Sequence, residues 1–185
     1  MSNENRMLAM LPDLAKTFST PIHFVELGAN DGYHTQLMVS FLNQTGRHWK
    51  YVSVEPDPRL SLHVPTGVQL FRGAVGAYDG PGKLHLSSGQ SDTGMHYSGS
   101  SSLRPPTNLI FESWPRMRFD TAAQVQVLTL DSLCAQFGLD WIDFIWCDIQ
   151  GCEGDVIQGA PKMMPKTKWF FTEYSAGKLY AGQAT

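Results

Sequence analysis

Apolar residues along the chain follow two rhythms, a helical one and short unbroken runs, and glycine, proline or acidic residues separate them. Between residues 6 and 18, Met7, Leu8, Leu11, Leu14, Ala15 and Phe18 recur at helical spacing. Pro12 lacks a donor and disfavours helix before it, so the pattern also allows a start near Pro12. Ser19-Thr20-Pro21 closes the segment. Ile22–Leu27 is a short apolar run halted by Gly28, too short for a helix and suited to a buried parallel strand. Gly28-Ala29-Asn30-Asp31-Gly32 reads as a turn, and Tyr33, Leu37, Met38, Phe41 and Leu42 give the next helix one apolar face. Residues 49–54 form a second strand that Glu55-Pro56-Asp57-Pro58 cannot continue. Residues 22–54 are therefore a βαβ unit.

The middle of the chain is less regular. Val68–Phe71 predicts a third strand leading into Gly73-Ala74-Val75-Gly76, and Lys83–Leu86 alternates like an extra strand. Residues 87–107 are rich in Ser, Gly and Pro and read as a long loop, a kind more often functional than idle. Gln124–Leu130 alternates again, and Asp131 is placed to cap a short helix that Gly138 stops. Residues 141–147 are another buried strand ending at Asp148. Gly154–Met164 is expected to be a helix interrupted by Pro161, and Lys168–Thr172 a last strand running to Glu173. The alternation predicts an α/β fold, a Rossmann-like, doubly wound and mostly parallel sheet over residues 22–185, preceded by an N-terminal helical segment over residues 1–21.

Composition narrows the function classes. The 14 basic and 17 acidic residues of this 185-residue chain give a net charge of -3. That balance argues against a general nucleic-acid partner, for which nothing would offset phosphate repulsion. Three cysteines, Cys134, Cys147 and Cys152, lack paired metal-ligand spacing and do not suggest a disulfide framework. No run approaches the length of a membrane span, and the polar N-terminus does not resemble a signal peptide. The expectation is a cytoplasmic domain with buried, reduced thiols, no metal and no membrane partner.

In sheets of this kind ligands bind beyond the carboxyl ends of the strands, so the residues just after each strand matter most. These are Glu26-Leu-Gly28-Ala29-Asn30-Asp31-Gly32, then Glu55-Pro56, then Asp148-Ile-Gln150-Gly-Cys-Glu153, and finally Glu173. Glycines at 28 and 32 let the backbone turn tightly and approach a ligand. Glu55 lies 23 residues beyond Gly32, placed to accept ribose hydroxyls. A nicotinamide dinucleotide fingerprint would need glycine at 30 and 33, where Asn and Tyr stand. Acidic groups around the turn also disfavour a diphosphate, which prefers an uncluttered helix N-terminus. They suit the ammonium and sulfonium charges of S-adenosylmethionine.

Glu26-Leu-Gly-Ala-Asn-Asp-Gly-Tyr, Glu55-Pro-Asp-Pro, Leu128-Thr-Leu-Asp-Ser-Leu, and Trp146-Cys-Asp-Ile-Gln-Gly-Cys-Glu-Gly-Asp-Val-Ile-Gln-Gly-Ala together resemble the FkbM-type methyltransferases over residues 22–182. The resemblance implies a class I S-adenosylmethionine-dependent enzyme acting on hydroxyl groups of a small-molecule or carbohydrate acceptor. It places donor binding on Glu26, Gly28, Ala29, Asn30, Gly32, Glu55 and Pro56, with Ala74 along the adenine, and Asp148 at the methyl and acceptor. Gln150 stands where the family commonly has Glu, which leaves Asp148, Glu153 or a histidine as the base. Asp148 is the first choice for that base and His96 the second.

The family fold normally closes with a further helix and an antiparallel strand pair. The expectation here is a C-terminally truncated domain whose open sheet edge would invite pairing with a second copy. Two other readings stay open at this level: a donor-binding module with little or no catalysis, and a nicotinamide-dependent oxidoreductase. Plainer roles also compete. Asp148 is placed to cap a helix and Glu153 to satisfy a helix dipole. The Ser98–Ser102 stretch reads equally as flexible loop or as ligand contact, His34 follows the glycine turn but a lone histidine is usually not catalytic, and Trp114 with Arg116 and Arg118 reads more readily as solvated loop than as ligand contacts for an anionic or sugar acceptor.

Overall fold

Ile22–Leu27 (β1) is buried along its whole length, because parallel strands flank it on both edges. The computed structural model describes residues 3–173 and 175–184. Trp49–Val54 (β2) lies on one side of β1 and Ile142–Cys147 (β7) on the other, with Val68–Phe71 (β3) and Thr167–Thr172 (β8) outside them. The order β3-β2-β1-β7-β8 is parallel throughout. It reverses direction between β1 and β7, the kind of switch point where open α/β sheets bind ligands.

Strand alternation assigns each face its helices. Phe24, Tyr51, Phe144 and Trp146 face Asn3–Leu14 (α1) and Tyr33–Gln44 (α2), burying Met7, Leu11, Met38 and Leu42. Val25, Leu27, Val52 and Val54 pack on the other face against Leu130–Phe137 (α4) and Glu153–Gln158 (α5), through Leu130, Leu133 and Val156. A sheet covered on both faces needs unbroken apolar strands, and that explains why β1 and β7 read as continuous runs.

Several boundaries differ from expectation. α1 begins at Asn3 and passes through Pro12. Burial of Met7 and Leu11 contributes about 1.5–3 kcal/mol each, enough to offset the roughly 3 kcal/mol of an interior proline. The helix still decays into a 3-10 turn at Ala15–Thr17. Asp131 does not cap α4. Thr129 does, accepting Ser132 N at 3.1 Å, while Asp131 accepts Lys162 N and Met163 N from the turn after α5. The expected helix 154–164 stops at Gln158, and residues 164–166 form a separate 3-10 turn before β8.

Ala74–Val75 (β4), Gly80–Ser88 (β5) and Arg118–Leu128 (β6) form a second sheet in the order β4-β6-β5, with β5 and β6 antiparallel. The expected loop 87–107 is partly built. Its first two residues end β5, and Ser102 bridges His85 of β5 through two backbone hydrogen bonds of 2.8 and 3.1 Å. A short helix, Asn108–Ser113 (α3), follows it. Among the described residues no helix is long and apolar enough to cross a membrane.

Candidate active site

The register of the large sheet brings its strand ends level. Leu27 sits opposite both Val54 and Cys147, Val54 opposite Phe71, and Cys147 opposite Thr172. The next residue of each chain segment therefore falls in one row: Glu55, Gly28, Asp148 and Glu173. Backbone bonds fix the row, with Gly28 N and Ala29 N both donating to Val54 O at 3.0 Å and Asp148 N to Leu27 O at 2.9 Å. Gly28 has φ +89, and a Cβ there would stand 2.0 Å from Asp148 O. Only glycine lets the turns after β1 and β7 close against each other.

Above this row is a cavity whose wall includes Gly28, Asn30, Glu55, Pro56, Ala74 and Asp148. Six of the expected site residues thus meet around one space. Glu55 is buried, with Oε2 accepting Asn30 N and Oε1 accepting Asp57 N, both at 2.7 Å. Burial, reinforced by the nearby Asp57 charge, pushes its carboxyl up to about 7 despite those two amides. Asn30 reaches this position in a left-handed conformation, φ 51.

Asp148 carries the second carboxylate. Burial, with the charges of Glu173 and Glu153, pushes it up to about 6, while a 2.6 Å hydrogen bond from Gln150 Nε2 to Oδ1 works the other way. Tyr180 donates its hydroxyl to Gln150 Oε1 at 3.2 Å and to Ser100 O at 2.8 Å. Asp148 is not a helix cap, since α5 begins only at Glu153. Glu153, the first residue of α5, accepts Gly151 N at 3.1 Å in the turn ahead of the helix.

The serine-rich stretch is a built wall of the cavity. Ser98, Gly99, Ser101 and Ser102 line it. Ser101 donates to Asp57 Oδ2 at 3.0 Å, and Ser102 to Gln150 O at 2.7 Å. Asp57 is 1% exposed. Burial works to raise its carboxyl, but the paired Arg59 guanidinium more than offsets this and holds it below the usual range. Arg59 also reaches Ser87 O at 2.9 Å, so one ion pair joins the β2 end, β5 and the serine-rich stretch 98–102, a strap along the cavity wall. The sequence carried a signal for this in Asp57-Pro-Arg59 immediately after Glu55.

Other expected residues stand elsewhere. Glu26 is absent from the cavity wall and points with Phe24 toward α2. There Oε2 accepts Thr35 at 2.6 Å, Ser53 at 3.0 Å and Tyr51 at 3.1 Å, and burial raises its carboxyl. Ala29 and Gly32 are likewise outside the wall and shape the turn. A Cβ on Gly32 would meet Leu62 Cδ1 at 2.7 Å. His34 lines the cavity and stacks on Trp146 at 4.8 Å. His96 lies in an adjoining outer cavity, bonded to Gln90. Trp114 lines that outer cavity too, whereas Arg116 pairs with Asp92 and Arg118 donates to Pro115 O and Met117 O.

The three cysteines are buried, and burial pushes Cys152 up to about 11 and Cys134 to about 12, so neither is a thiolate nucleophile. Among the described residues no group of three or more His, Cys, Asp and Glu side chains is placed to hold a metal ion.

A parallel sheet ordered β3-β2-β1-β7-β8, wound on both faces and carrying acidic residues beyond β2 and β7, is a Rossmann-like methyltransferase fold. Residues 26–182 match the model of the methyltransferase FkbM domain, and the chain belongs to that family. It is 33% identical over 166 residues to the 2-O-methyltransferase NoeI of Sinorhizobium fredii (strain NBRC 101917 / NGR234). That match takes in 86% of this chain but 65% of the relative, so the chain spans just under two thirds of the relative's length. No solved structure matches the chain.

Proposed function

We propose that this chain binds S-adenosylmethionine in the cavity above β1, β2 and β7 and directs methyl transfer to a hydroxyl oxygen of a small-molecule or carbohydrate acceptor. The observation that carries the reading is Glu55: a buried carboxylate in the cavity wall, each oxygen anchored by one backbone amide and retaining a further acceptor site. Such a group suits a pair of vicinal ribose hydroxyls. Ala74, Val75, Leu84 and Pro56 offer an apolar slot beside it for a flat base. Among the described residues no lysine or arginine lines this wall, which suits a ligand bearing ammonium and sulfonium charge.

When bound, S-adenosylmethionine supplies an electrophilic methyl group. The chain's own contribution is alignment and one proton transfer. Holding two reactants in line is worth up to about 7–11 kcal/mol. Asp148, ionised at neutral pH, would take the acceptor's hydroxyl proton on the carboxylate oxygen that Gln150 does not hold, as that hydroxyl oxygen bonds the methyl carbon and the carbon–sulfur bond breaks, its electron pair staying on the sulfur of S-adenosylhomocysteine. Such a base adds about 10²–10⁴-fold.

Calorimetric titration with S-adenosylhomocysteine tests the donor site. Binding is expected, weakened at least tenfold by Glu55→Ala, or about 1.4 kcal/mol. No heat from a folded sample, or equal affinity in the variant, would overturn the assignment.

A further inference from the structure

The outer cavity has no role in donor binding as proposed above. It shares Asn30, Leu60, Ser98, Gly99 and Gln150 with the inner cavity, so the two adjoin along these residues, and Gln150 bonds Asp148. Its wall is aromatic and acidic. Trp114 is 38% exposed in it, with Tyr97 nearby, and Asp31 and Glu173 supply carboxylates. Among the described residues no lysine or arginine lines it, and His96 is on its wall. The arginines of the surrounding segments are engaged elsewhere: Arg59 with Asp57, Arg104 with Asp155, Arg116 with Asp92, and Arg118 with backbone carbonyls. Glu173 follows β8 in the row that holds Asp148, and its charge acts on Asp148.

We infer that the outer cavity is the acceptor subsite and that it selects an uncharged sugar ring, rejecting carboxylated or phosphorylated acceptors. The inference rests on the methyltransferase reading and adds the acceptor's charge and shape. An indole beside carboxylates matches a pyranose, which has one C–H face to lay on an aromatic ring and hydroxyl edges that donate to acidic oxygens. An anionic substituent would meet Asp31 and Glu173 with no lysine or arginine on the wall to pair it, and like charges placed together select against a partner. Arg116 and Arg118, weighed above as ligand contacts, are held by Asp92 and by backbone carbonyls.

The test uses the full chain saturated with S-adenosylhomocysteine. Binding of methyl galactoside, of its uronate and of its 6-phosphate is measured by ligand-observed NMR. The neutral ring is expected to bind at least tenfold more tightly than either anion, and Glu173→Gln should narrow that gap while leaving S-adenosylhomocysteine affinity within twofold. Trp114→Ala should weaken the neutral ring at least fivefold. Equal or tighter binding of an anion, a gap unmoved by Glu173→Gln, or no binding of the neutral ring would each overturn the inference. Failure of S-adenosylhomocysteine itself to bind would instead overturn the donor reading on which it rests.

Discussion

Gln150 holds Asp148 by a 2.6 Å hydrogen bond from Nε2 to Oδ1, and Tyr180 sets the orientation of that amide by donating to Oε1. The amide stabilises the ionised form of Asp148, against burial and two neighbouring acids that disfavour it. A glutamate at 150 would add a third negative charge. Gln150→Glu should therefore move the acidic limb of the pH–rate profile upward from near 6 by one unit or more, with turnover at pH 8 least affected. Asp148→Asn should remove that limb and lower kcat by about 10²–10⁴-fold while S-adenosylhomocysteine still binds. Unchanged turnover in Asp148→Asn would assign the base elsewhere, with His96 next to test.

Donor affinity should depend on pH through Glu55. Its carboxyl titrates at about 7 in the free protein, and hydroxyl donors bind its ionised form. Affinity is expected to fall about tenfold from pH 8 to pH 6, and isothermal titration at each pH reads this directly. Glu55→Gln should bind weakly at both pH values, with the slope gone.

The same two carboxylates affect stability. Their folded values, about 7 and 6, lie above the ordinary 4.5 and 3.8. The fold thus holds these protons more tightly than the unfolded chain, and their stabilising contribution is full below about 4 and is lost as pH rises through 6 to 7. Thermal melts of the free protein should show this decline, and the rise in Tm on adding S-adenosylhomocysteine should grow from pH 5 to pH 8.

How much of this the sequence reveals depends on how local the signal is. The ends of β1, β2 and β7 are legible because a buried apolar run meets a breaker at Gly28, at Pro56 and after Asp148. The strand-end rule then points to the row holding Glu55 and Asp148. The direction of Glu26 is less legible: its motif neighbours the turn, but it sits within β1 two residues after Phe24, and strand alternation turns it to the α2 face. The β5–β6 sheet and α3 are poorly legible because β6 carries many exposed residues and pairs with a strand about thirty residues earlier. The strap's attachment is equally nonlocal, with Ser101 bonding an aspartate 44 positions away.

Gly28 should tolerate no side chain. Alanine there would need both φ +89 and a Cβ 2.0 Å from Asp148 O. The backbone strain alone is about 1–3 kcal/mol, and the clash would push apart the turns bearing Asn30 and Asp148. Gly28→Ala is expected to lower Tm and to abolish S-adenosylhomocysteine binding even where the protein remains folded. By contrast Gly46→Ala, with φ +65 but nothing within 4 Å, should show a smaller stability loss and normal binding.

At the opposite end of the sheet, Asp143 supports the fold without touching the site. Its fully buried carboxylate accepts Ser19 N at 2.6 Å, His23 N at 3.0 Å and Trp141 Nε1 at 3.1 Å, and it pairs with Lys168 at 2.9 Å. Burial works to raise this carboxyl, but those donors and the lysine more than offset it and hold it below the ordinary 3.8. The sign is opposite to that of Glu55: the stabilisation is present above about pH 4 and is lost as pH falls through the depressed folded value. Asp143→Ala leaves three donors without their acceptor and removes the carboxylate partner of Lys168, whose Nζ keeps Thr17 O and Ser19 Oγ, at a cost of about 3–5 kcal/mol. Chemical denaturation at pH 7 should show that loss, while S-adenosylhomocysteine affinity, measured where the variant is folded, stays within twofold of wild type. A large affinity loss would mean that the two ends of β1 and β7 are mechanically coupled, and that the strand ends around Asp148 are not set by local backbone bonds alone.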